Sequence, residues 1–184
     1  HYYLAEKIAK RKCTTLFLMQ RSSSFILGPE QGWGAESNFY NAALQKIADG
    51  AQFYHIVSLE GLSRHLSRPQ SIFPDMQSAL DRLSHDDKAV GIRGLDNMSY
   101  FKRLPDEEDE KDLKPDRQAR TFLVEFPNGE AEGVIIVDLG GKQSCFHFRG
   151  PQVKEFLHTC IDFYHHCPLL TWSDLEGVPG LTRR

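Results

Sequence analysis

The chain has 184 residues, 40% of them hydrophobic and 26% charged, with a formal net charge of -3. That length suits one folded domain, and the apolar share is too high for a disordered chain. The mild acidity argues against nucleic-acid binding over the whole surface while leaving room for a local basic patch, and no apolar run approaches the roughly 20 residues that cross a bilayer.

Residues 2–11 have helical periodicity, with Leu4, Ile8 and the stem of Lys7 near one face. Residues 14–19 read as a buried strand and 23–27 as another, closed by Gly28-Pro29. A helix is predicted over 35–49, where Phe39, Ala42, Ala43, Leu44 and Ile47 recur at three and four residues and Gly50 supplies the stop. It leads into a strand over 52–58, so the two strands belong to a β-α-β unit and lie parallel.

Residues 61–66 read as a helical turn, 74–83 as a helix opened by Pro74, and the region near 89–93 as a short strand. The acidic run Asp106–Asp112 makes 104–117 a solvated, mobile loop. Strands follow over 119–126, 132–138 and 143–149, joined by Pro127-Asn128-Gly129 and by Leu139-Gly140-Gly141-Lys142. A closing helix over 151–166 carries Val153, Phe156, Leu157, Cys160 and Ile161 on one side, and 171–175 adds a final turn. The expected architecture is a single α/β domain over 1–184, a mixed β-sheet flanked by helices.

The segments "AKRKCTTLFLMQRSSS", "GAQFYHIVSLEG" and "GPQVKEFLHTCIDFYHHCPLL", in this order of elements, resemble one half of the phospholipase D-like fold. The resemblance implies that halves pair, hence a homodimer. It also implies chemistry by a His, a Lys two residues later and a downstream Asp. This sequence departs from that motif: its nearest match is Phe146-His147-Phe148-Arg149, with Arg at the Lys position. The departure points to a non-catalytic regulatory or ligand-sensing domain, the C-terminal part of a longer bacterial-type regulator. The alternative is a variant phosphodiesterase or nuclease with His147 and Arg149 as its catalytic candidates.

His147 and Arg149 are two apart on one strand, so they share a face with Cys145, and Arg can clamp a phosphate or carboxylate. A polar strand rim explains the same pattern. A small anionic ligand is expected beyond the carboxyl ends of the early strands, where Arg21, Ser22, Ser58, Glu60 and His65 gather. His55, between apolar neighbours, reads as a buried neutral imidazole. His158, Asp162 and His165 have metal-ligand spacing on the closing helix, but a solvated helix face accounts for them too. No metal and no cofactor is expected. Arg64, His65 and Arg68 form a short basic stretch for nucleic acid, and Trp33 is a loop anchor or partner contact. Cys13, Cys145, Cys160 and Cys167 read as reduced, partly buried thiols of a cytoplasmic protein. No membrane association is expected.

Overall fold

A computed structural model describes residues 7–8, 10–20, 42–43, 45–59, 98–104, 117–139 and 142–176. Six strands form one mixed sheet: β1 Thr15–Gln20, β2 Gln52–Val57, β3 Met98–Arg103, β4 Arg117–Glu125, β5 Ala131–Leu139 and β6 Lys142–Arg149. Two helices follow, α1 Pro151–His166 and α2 Trp172–Glu176. The order across the sheet is β3-β2-β1-β4-β5-β6. β1, β2 and β3 run parallel, whereas β4, β5 and β6 form an antiparallel meander joined to β1. The α/β class, the parallel β1–β2 pair and the terminal meander match the sequence reading.

Local chemistry sets the breaks. Residues 42–43 and 45–48 are helical, and Gly50 ends that helix at φ 101°. Its N–H donates to Ile47 O, and Ala51 N–H donates to Lys46 O, the paired bonds of a glycine C-terminal cap. The β4–β5 connection is a turn with Pro127 at its second position. Gly129 N–H donates to Phe126 O at 2.9 Å while Gly129 holds φ 78°, so the strands are steered straight back on themselves.

α1 begins after Gly150, has Pro151 in its first turn and buries Val153, Leu157, Cys160 and Tyr164. These meet Phe17, Tyr54, Ile56, Leu123 and Ala131 in one core on one face of the sheet. Full burial of such a side chain is worth roughly 1.5–3 kcal/mol, so α1 is anchored mainly by this stripe. Gly133 lets α1 approach: a Cβ there would lie 2.5 Å from Leu123 Cδ2 and 3.4 Å from Val153 Cγ1. Strand alternation sends Leu16, Leu18, Phe53, His55, Phe122 and Val124 to the opposite face, where they too are buried.

Several expectations are corrected. β3 was not foreseen from the sequence, because MSYFKR mixes polar and apolar residues without a clean alternation. Arg117, placed in the acidic loop 104–117, opens β4 instead, and residues 105–116 lie outside the described residues. Phe156 is exposed rather than part of the core stripe, since it stands about 60° round the helix from Val153. The four cysteines are free thiols, but Cys145 is exposed on β6. The strands placed at 23–27 and near 89–93, the helices at 61–66 and 74–83, and Trp33 lie outside the described residues. Among the described residues no helix is long and apolar enough to cross a membrane.

Candidate functional site

The β5–β6 register sets Glu132 directly opposite Arg149, and His147 opposite Val134. Alternation therefore turns Glu132, His147 and Arg149 to one face, away from α1. Glu132 opens the alternating run Glu132, Val134, Ile136, Asp138, and its carboxylate is just 6% exposed. Two permanent cations, Lys7 and Arg149, and the His147 ring meet it. Lys7 from the opening helical residues is hydrogen-bonded to Oε1, His147 Nε2 lies 3.1 Å from Oε2 and Arg149 Nε 3.7 Å from the same oxygen. Burial alone raises the Glu132 pKa, but hydrogen bonds from Lys7 and His147 and the charges of Lys7 and Arg149 outweigh it, leaving the carboxyl below its ordinary value.

A second pair stands beside this cluster. Arg11 donates to Glu130 at 2.8 Å and lies 3.9 Å above the Phe126 ring. The Arg11 hydrogen bond, with a further one involving Asn128, draws the Glu130 carboxyl below its usual range. The two clusters border an open cleft of about 470 Å³, lined by Lys7, Arg11, Glu130, Glu132, Arg149 and Pro151 among others. The amino end of α1 opens into it. That end has no acidic residue in its first turn and no side-chain cap, so its positive dipole end is not locally neutralised.

The sequence candidates fall in different places. His147 and Arg149 come together, with Glu132 as the third partner that the sequence did not reveal. Its signal was a carboxylate in phase with the buried Val134 and Ile136. Lys7 carried a weaker signal, since only its stem was expected to pack. Ser58 is buried just after β2. Arg21, Ser22, Glu60 and His65 lie outside the described residues, as do Arg64 and Arg68. Ser58 follows the carboxyl end of β2, whereas Glu132 lies near the amino end of β1, because Thr15 pairs with Glu125 and Glu125 with Ala131. Ser58 and Glu132 thus occupy opposite ends of the sheet.

His55 is fully buried, 4.9 Å from Phe101 and 5.6 Å from Phe53 by ring centroid. Burial pushes its pKa down to about 3, so it is neutral at physiological pH. His158, Asp162 and His165 are exposed on α1, and His165 leans edge-on against Tyr54 at 6.1 Å. Among the described residues no group of His, Cys, Asp or Glu is arranged to hold a metal ion. No family model, curated protein or solved structure matches the chain.

Proposed function

We propose that the chain is a non-catalytic, ligand-sensing regulatory domain whose ligand is a small anion held in the Glu132 cleft. The observation that carries this reading is the convergence of Lys7, Arg11 and Arg149 with the amino end of α1 on one cleft. Three permanent cations face two carboxylates there, so the cleft keeps a positive surplus that suits a phosphate or carboxylate ligand. Glu132 fixes Lys7 and Arg149 in place before the ligand arrives, which lowers the ordering cost of binding. The phospholipase D-like resemblance adds two elements to the proposal: a degenerate half fold and a homodimer within a bacterial-type regulator.

Thermal unfolding with pyrophosphate as the probe tests it. A ligand at a hundredfold excess over its Kd stabilises the folded state by about 2.7 kcal/mol, so the midpoint is expected to rise. The rise is expected to vanish in Arg149→Ala and to persist in Arg21→Ala. If Arg21→Ala abolishes it instead, the ligand sits in the crevice beyond Ser58. No rise in the unaltered chain removes the reading, and sedimentation velocity reads the homodimer separately.

A second reading, a variant phosphodiesterase, is favoured by one observation: Glu132 gives His147 the carboxylate partner that a nucleophilic or basic imidazole needs. Lys7 is then placed to hold phosphate oxygens. Under the regulatory reading bis-p-nitrophenyl phosphate is not hydrolysed. Turnover that disappears in His147→Ala would establish the enzyme.

A further inference from the structure

The two edges of the sheet differ. β3 is covered by the chain itself: Lys102 bridges Leu169, Arg103 N–H donates to Pro168 O at 3.0 Å and Leu170 N–H donates to Phe101 O at 3.1 Å. β6, at the other edge, pairs with β5 over its whole length without a bulge, and no other described strand lies on its outer side. All eight of its residues are exposed, and none is Pro. Edges this long and regular are normally shortened, bulged or covered in monomers, because they template a further strand.

The two faces of β6 have distinct chemistry. Phe146 and Phe148, 50% and 43% exposed, lie on the face that carries α1, where Phe156 and Phe163 are exposed as well. His147 and Arg149 lie on the other face, and Lys142 opens the strand. β6 has no carboxylate, and of the two acids that β5 sets opposite it, Asp138 stands across from Gln143 at the far end while Glu132, across from Arg149, is shared with Lys7. A segment laid along the second half of β6 therefore meets aromatic surface on one side and the Arg149 guanidinium, with the His147 ring beside it, on the other.

We propose that β6 accepts, as a seventh strand, an extended segment of a partner protein in which apolar and acidic residues alternate. Its apolar side chains pack on Phe146 and Phe148, and its carboxylates face His147 and Arg149, the cross-strand pairings that stabilise a sheet. Main-chain bonds supply affinity and the alternating side chains supply specificity. A second copy of this chain fits less well, since its own β6 would set Lys142 and Arg149 against the same two cations and would bring no carboxylate.

Fluorescence anisotropy of a labelled Val-Glu alternating peptide of about ten residues, titrated with the full chain, is the test. Saturable binding is expected, with a loss of about tenfold or more when Lys replaces Glu in the peptide. A similar loss is expected in Phe146→Glu and in Phe148→Glu, each checked for an unchanged circular dichroism spectrum. Peptides N-methylated on alternate amides, made in both phases, separate strand addition from simple adhesion: one phase is expected to fail. The proposal is overturned if the Val-Glu peptide does not bind, or if the Lys peptide or both methylated peptides bind as well as it does. It is equally overturned if sedimentation shows a dimer that Phe146→Glu dissociates, for then the edge takes a second copy.

Discussion

A carboxylate as buried as Glu132 needs partners, and Lys7, His147 and Arg149 are its partners. Glu132→Gln keeps the shape but removes the charge that Lys7 and Arg149 face. A stability loss of about 1–3 kcal/mol is expected in urea unfolding at neutral pH, whereas Glu130→Gln, at an exposed site, leaves the midpoint essentially unchanged. The pH dependence has two separable parts. The folded Glu132 pKa is depressed, so its contribution is present above the unfolded carboxyl pKa of about 4.3 and is lost as pH falls through the folded value. His55 acts earlier on acidification. Its folded pKa of about 3 lies below the ordinary 6.5, so below pH 6.5 the unfolded chain binds a proton that the folded chain does not. Stability therefore falls progressively from about pH 6.5, and His55→Phe is expected to flatten that limb in urea midpoints measured against pH.

Between α1 and the sheet, fit is set by which helix positions point inward and by one missing side chain. Leu157 is fully buried and Phe156 is exposed. Leu157→Ala is therefore expected to cost about 2–5 kcal/mol, while Phe156→Ala leaves stability within experimental error, although Phe is the larger side chain. Chemical denaturation of the two variants side by side checks this. Gly133 is constrained by contact rather than by dihedral, since Leu123 and Val153 occupy the space a Cβ would need. Gly133→Val is expected to cost about 1–3 kcal/mol through overpacking, with Leu123→Ala in the same chain restoring part of the loss because it vacates the clashing methyl.

At the scale of the whole molecule, the last strands and α1 complete a core begun far upstream. Phe17 and Tyr54 share one cluster with Leu157 and Tyr164, so neither half of the sequence buries this surface alone. A chain ending at Arg149 is expected to lose its cooperative thermal transition, with the near-ultraviolet circular dichroism signal reduced and a hydrophobic dye bound. Retention of a sharp transition would show that the sheet stands without α1.

Patterns repeating within a few residues were readable from the sequence. The Val153–Tyr164 region of α1, the Pro127-Asn128-Gly129 turn and the Gly50 stop each depend on neighbours along the chain, and each lies where local propensity puts it. β3 escaped because its pattern is irregular and its strand state is decided by pairing with β2 and by cover from 168–170. His147 and Arg149 could be placed on one face from a spacing of two. What made them part of a site could not: Glu132 is aligned by the β5–β6 register, and Lys7 arrives from 125 residues away. Sequence by itself determined the α/β class, the meander and the closing helix, because hydrophobic period and turn chemistry are local. Only the tertiary structure decided that one buried carboxylate gathers Lys7, His147 and Arg149 at the amino end of β1, because the balance between burial and charge is struck among residues distant in the chain.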